Sequence, residues 1–234
     1  MGNPTVDELV KKTYEELAKS EVPRQTSRVW KSSNGYVYLV AWSNASLLRV
    51  CVRKFTEILP PREFRLKTQL NDAGRSIVAN IEEGFARPAT REYLDYLGFS
   101  QASLKEVKGD IQRSRQDGFL LSKPGGNLYS LGIDLKVWHE KLKASVISKP
   151  AEDRGNYRSL EDFKRKPDTL GSFKFLYPPV DDLKGTDLTY EIFIELINKT
   201  DWHLQRLVVS LEEKLAREKK YYQVGQARLR QRSF

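Results

Sequence analysis

Residues 66–107, LKTQLNDAGRSIVANIEEGFARPATREYLDYLGFSQASLKEV, decide the fold. Leu66, Leu70, Ala73, Ile77 and Ile81 recur at spacings of three and four, which places them on one face of a helix. Beyond a turn around Pro88, Tyr93, Leu97, Ser100, Leu104, Val107 and Ile111 step by four and three, as heptad a and d positions do. Two such stripes facing each other cannot exclude water by themselves. The stretch therefore predicts a helical hairpin that belongs to a larger bundle.

The flanking sequence supplies candidate partners. The expected fold is all-α: an antiparallel up-down-up-down four-helix bundle over residues 36–147, with a short N-terminal helix and a long additional C-terminal helix. Thr5 and Glu8 have capping-box spacing for a helix over 5–19, and residues 1–35 are read as that helix and a linker. The first bundle helix spans 36–59 with Val40, Leu47, Cys51, Phe55 and Ile58 inward, stopped by Pro60-Pro61. A second follows over 61–86, ended by Gly84 and Pro88, and a third runs from 91 to about 117 with Thr90 as its cap. Gly118 closes the third, Pro124-Gly125-Gly126 turns the chain, and a fourth helix spans 127–147 with Leu128, Leu131, Leu135, Trp138, Leu142 and Val146 on one stripe. Residues 148–187 read as an irregular connection pinned by Phe173, Phe175 and Tyr177. Residues 188–234 read as a fifth helix to about Tyr222, capped by Thr186 or Asp187, with a basic tail.

The formal net charge of +9 is unevenly placed. Residues 37–147 carry 17 basic side chains against 12 acidic, residues 188–213 carry two against five, and residues 214–234 carry seven against one. Concentrated basic helices attract phosphate backbones by counterion release, although a solvated, solubilising face gives the same composition. The candidate contacts are Arg49, Arg53, Lys54, Arg62, Arg65 and Lys67 on the first hairpin, and Lys219, Lys220, Arg228 and Arg230 in the tail. Arg87 and Arg91 flank the next turn, where a phosphate would also meet the free N–H groups that begin a helix. Trp30, Tyr36, Tyr38 and Trp42 suit stacking on unpaired bases or, preferably, a subunit interface.

No metal, cofactor or catalytic set is expected. His139 and His203 lie on different predicted helices with no Cys, Asp or Glu at ligand spacing, and Cys51 sits on an apolar face. Glu82 and Glu83 point about 100° apart on a helix, so they are not a facing carboxylate pair; Glu83 suits an i,i+4 ion pair with Arg87 instead. Gly84 suits either a left-handed helix end or a close backbone approach, and Asn80 a hydrogen bond to a neighbouring loop or helix end. One cysteine and no apolar run of membrane-spanning length make the cytoplasm the default compartment.

Ser76, Ile77, Asn80, Ile81, Glu83, Gly84, Phe85 and Arg87, followed by Glu92, Tyr93, Leu97, Ala102, Ser103, Leu104 and Glu106, carry a family resemblance. The pattern is similar to the four-helix-bundle proteins encoded by intervening sequences of bacterial large-subunit ribosomal RNA genes. That family includes the accessory variability determinant of diversity-generating retroelements. The resemblance implies a homopentameric barrel of bundles, a basic surface that binds RNA or DNA, and a reverse transcriptase partner, with no enzymatic activity. Leu196, Ile197, Asn198, Trp202, Leu204, Leu211 and Glu212 resemble a helical suffix found after such bundles, although Arg217, Glu218 and Lys219 replace that suffix's Glu-Gly-Gly. The expected function is a non-enzymatic nucleic-acid-binding accessory protein acting as a homo-oligomer. The alternative is a scaffold that recruits a partner protein without touching nucleic acid.

Overall fold

The structure, a computed structural model, describes residues 34–147 and 176–232, with side chains described to Val224. The N-terminal helix expected at 5–19, the linker and Trp30 before residue 34, and Phe173 and Phe175 lie outside the described residues. Every regular element among the described residues is helical. They are α1 (Val40–Ile58), α2 (Phe64–Ala86), α3 (Thr90–Gln116), α4 (Leu135–Ile147), a single turn α5 (Pro178–Asp181) and α6 (Tyr190–Arg232), with short 3-10 turns between them.

The expected hairpin is α2 and α3. Leu70, Ala73, Ile77 and Ile81 of α2 are buried, as are all six stripe residues of α3. Ser100 allows close approach because its hydroxyl donates to the Ile77 carbonyl at 2.9 Å. Gly84 is interior to α2, so the left-handed-end reading gives way to close approach. A Cβ there would lie 2.6 Å from Tyr93 Cδ2 and 2.8 Å from Tyr96 Cβ. What stops α2 is Arg87, which turns extended (ψ 136) ahead of Pro88, as a residue before proline must. Gly84→Ala should therefore destabilise by about 1–3 kcal/mol despite alanine's better helix propensity; urea unfolding with an unchanged m-value checks this.

The bundle closes differently from the sequence expectation. Helix α1 packs on α2, α2 on α3, α3 on α6, and α6 back on α1. The long C-terminal helix is thus the fourth member of the ring and not an added layer. Neighbours run antiparallel: Trp42 meets Glu82 while Thr56 meets Asn71, and Arg115 lies over Tyr190 while Thr90 bonds Glu218. Phe193 of α6 packs edge-on against Phe55 at 5.7 Å, with both rings fully buried.

The stretch expected as a fourth helix is broken. Asn127 caps a 3-10 turn at Leu128–Leu131, Gly132 takes φ 70, and the Asp134 carboxylate accepts from Lys136 N–H at 2.7 Å to start α4 only at Leu135. At 13 residues α4 is too short to line the bundle, and it covers α1 from outside. That cover explains why 13 of the 19 residues of α1 are buried, including Ser43, Asn44 and Ser46: the helix has neighbours on three sides. Tyr38, Val40 and Ile58, by contrast, are exposed. Helix α1 itself begins at Val40, after a 3-10 turn over Gly35–Tyr38.

The described chain leaves the bundle after Leu121 and rejoins it at Tyr190. The amide of Tyr190 donates to the Leu121 carbonyl at 2.9 Å, closing the base of the excursion. Thr186 and Asp187 do not cap α6; they form a 3-10 turn in which the Asp187 carboxylate accepts from Lys184 N–H. Instead, the first two turns of α6 hold the outgoing chain. Glu191 accepts from the Ser122 hydroxyl and, at 2.7 Å, from Lys123 N–H, and Glu195 accepts from Leu128 N–H at 2.7 Å. Desolvation raises the Glu191 pKa, but these hydrogen bonds outweigh it and pull the group down to about 2. With the folded pKa below the unfolded value near 4.5, the contribution is full above about pH 4.5 and is lost as pH falls toward 2. Glu191→Gln should cost about 1 kcal/mol at neutral pH, allowing for solvent screening. Thermal melts of both chains should converge as pH falls through that window.

Candidate nucleic-acid interface

The candidate basic residues separate into two groups at opposite ends of the bundle, about 40 Å apart along the 27 residues of α3. Arg53, Lys54, Arg62, Arg65 and Lys67 lie at the α1–α2 turn; Arg87, Arg91, Lys219 and Lys220 lie at the α2–α3 turn and the outgoing end of α6. Arg49 lies between, half-buried, its Cα facing Gly74 of α2. The side chains of Arg228 and Arg230 lie outside the described residues.

At the α1–α2 end much of the charge is already engaged. Lys54 Nζ donates to the carbonyls of Leu183 at 2.5 Å and Asp181 at 3.1 Å, tying the returning chain to α1. Gly185 packs on the Lys54 backbone beside it, where no side chain fits. Arg53 pairs with Glu57 at 3.9 Å and Arg62 with Glu63 at 3.6 Å. The Arg65 guanidinium lies 5.9 Å over the exposed Phe64 ring, and Lys67 is half-buried, its carbonyl accepting from Asn71.

The α2–α3 end is arranged differently. Helix α3 begins without a side-chain cap, because its N-cap residue is Ala89 and the Thr90 hydroxyl bonds Glu218 of α6 at 3.2 Å. Thr90 is therefore the first helical residue and not the cap expected from sequence. Its hydrogen bond places the α6 segment carrying Arg217, Lys219 and Lys220 at the same end of the bundle as Arg87 and Arg91, all five exposed. Lys214 bridges to Glu218 at 3.5 Å on the same helix. Arg87 stacks over Tyr96, 4.8 Å from the ring centroid, and donates to its hydroxyl. Uncapped amides, the positive end of the helix dipole and five cationic side chains favour an anion at this end.

The outer face of α3 has a different character. Leu94, Tyr96, Gly98 and Phe99 line an open hollow of about 680 Å³ together with Glu92 and Asp95. Two carboxylates there disfavour phosphate.

The two histidines and the cysteine lie in packed surroundings. His139 Nδ1 lies 2.9 Å from Ser43 Oγ, but that hydroxyl donates to the Val40 carbonyl. That serine is fully buried in α1. Burial lowers the His139 pKa, opposed by Glu140 and assisted by Lys143. Trp138 Nε1–H donates to the Ser43 carbonyl at 2.7 Å, so both groups serve the α1–α4 contact. His203 packs against Trp202, its pKa lowered by burial and then by Arg206. Cys51 is fully buried, and burial pushes its thiol up to about 12. Glu82 accepts from Trp42 Nε1–H at 2.8 Å, which places Trp42 in the α1–α2 seam; Tyr36 packs edge-on against it. Among the described residues no helix is long and apolar enough to cross a membrane.

Residues 38–137 match the family model described as 23S rRNA-intervening sequence protein, which bears out the resemblance carried by residues 76–106. The matched segment contains α1 to α3 and ends at the start of α4, so the helix that closes the ring lies outside it. No curated protein and no solved structure matches the chain.

Proposed function

We propose that this chain is a non-enzymatic RNA-binding accessory protein that grips a phosphate backbone at the α2–α3 end of its bundle. The observation carrying the reading is the Thr90–Glu218 contact, which sets the stretch of α6 that bears Arg217, Lys219 and Lys220 at the same end of the bundle as Arg87, Arg91 and an uncapped helix start. The name of the matching family, 23S rRNA-intervening sequence protein, supports RNA as the partner. DNA binding, homo-oligomerisation as a pentamer and delivery of template to a reverse transcriptase are the finer expectations of the same reading. Contacts of this kind are to phosphate and sugar, so they carry little base specificity.

The test is the salt dependence of binding to an RNA of arbitrary sequence. With four to five phosphates neutralised, the logarithm of affinity should fall against the logarithm of salt with a slope of about −3 to −4. Absent or salt-independent binding would instead favour the partner-protein scaffold. Light scattering checks the oligomer: a monomer mass contradicts the pentamer without touching the RNA reading.

A further inference from the structure

Two exposed apolar features of opposite charge lie apart on the same chain. The first is the open hollow on the outer face of α3. There Tyr96 and Phe99 pack edge-on at 6.0 Å, Leu94 adds an aliphatic wall, and Glu92 and Asp95 are the charged residues of the lining. Phe99 is 59% exposed. Gly98 keeps the hollow open, because a Cβ built there would meet no atom within 4 Å. The second feature is a knob at the α1–α2 turn. Phe64 is 61% and Ile58 47% exposed there, and Arg62 and Arg65 are exposed with them, the Arg65 guanidinium lying over the Phe64 ring.

Large apolar side chains left in water at two places mark contact surfaces, and aromatic residues with arginine are the composition of protein interfaces. The hollow offers apolar walls and two carboxylates; the knob offers apolar side chains and two guanidinium groups. Each therefore has the charge that the other lacks. The pair that Arg62 makes with Glu63 at 3.6 Å is solvent-exposed on the arginine side and holds it weakly.

Knob and hollow cannot meet within one chain. Phe64 opens α2, whereas Ser100, next to Phe99, bonds Ile77, 13 residues and about 20 Å further along that helix. A contact between them joins two copies. Because it joins two different surfaces, it is heterologous: each chain gives its knob to one neighbour and receives a knob from another. Such a contact repeats from copy to copy until it closes a ring, which a two-fold dimer contact does not do.

We infer that copies of this chain associate head to tail, with Phe64 of one copy seated in the hollow of the next and Arg62 and Arg65 facing Glu92 and Asp95. This rests on the proposed homo-oligomer and assigns the two surfaces that build it.

Light scattering on the full chain, without RNA, compares the unmodified protein with four variants. Gly98→Trp fills the hollow, and Phe64→Ala removes the knob. Glu92→Lys/Asp95→Lys reverses the charge of the hollow alone. The fourth variant adds Arg62→Glu/Arg65→Glu to that pair, so both surfaces are reversed. The first three should weaken association at least about tenfold, and the fourth should regain it, because the charges again complement each other. All the substituted positions are exposed, so circular dichroism melts should stay close to that of the unmodified chain. Gly98→Trp and Phe64→Ala chains that assemble as the unmodified protein does overturn the contact and leave the oligomer standing. Charge reversal that weakens association without rescue in the fourth variant also overturns it. A monomer mass for the unmodified chain removes the oligomer itself and this contact with it, leaving the hollow to a basic, apolar segment of another protein.

Discussion

Phe193→Ala should lower the free energy of unfolding by about 3–5 kcal/mol, a large share of the roughly 5–15 kcal/mol available to a domain. The ring is fully buried and packs edge-on against Phe55, where α6 closes the bundle onto α1. Truncation leaves a cavity between two helices that the returning chain already pins through Lys54, so the site has little room to collapse. Trp202→Ala, nine residues along the same helix, is the control: that indole is 52% exposed and stacks with Arg206, and its loss should stay within about 0.5 kcal/mol. Denaturant unfolding of the two variants separates the possibilities. An α6 merely added to a complete bundle of residues 36–147 would make both substitutions mild.

The second large effect is on binding. Replacing Arg87, Arg91, Lys219 and Lys220 together by Gln should reduce the salt slope by about 3 and weaken RNA binding by about two to three orders of magnitude near physiological salt. The matched control, Arg49, Arg53, Arg62 and Arg65 to Gln, removes the same formal charge at the other end. There Arg53 and Arg62 already face Glu57 and Glu63, so the control should retain most of the slope. The opposite ranking would move the contact surface to the α1–α2 turn. Equal, small losses would indicate a diffuse field with no defined site.

The α2–α3 hairpin is legible because each of its two stripes, Leu66 to Ile81 and Tyr93 to Ile111, keeps its helical spacing throughout. Gly118 at φ 78 and Gly125 at φ 83 stand where the turns were read. The fourth member of the ring was not legible, because chain order suggested residues 127–147 and their apolar spacing fits a helix. The break depends on Gly132 taking a left-handed conformation and on Asp134 capping a new start, neither of which hydrophobic spacing registers. The long-range hydrogen bond from Tyr190 to Leu121 has no sequence signal at all. As for the candidate site, the residue types were readable but their grouping was not. Arg87 and Lys219 are 132 positions apart and lie at the same end only because α6 runs antiparallel to α3. Lys54 reads as a basic contact in sequence and proves to be a structural tie, since carbonyl acceptors on a distant loop leave no trace in composition.

Hydrogen exchange along α6, with and without a single-stranded RNA, tests both halves of the account in one measurement. Amides from Ile192 to Leu211 should exchange as slowly as those of α2 and α3, because they belong to the same cooperative core. Amides from Lys219 to Arg232 should exchange rapidly in the free protein and slow when RNA is added. Fast exchange over Ile192–Leu211 would contradict the four-helix ring, and an extension unaffected by RNA would contradict α6 as the element that carries the interface.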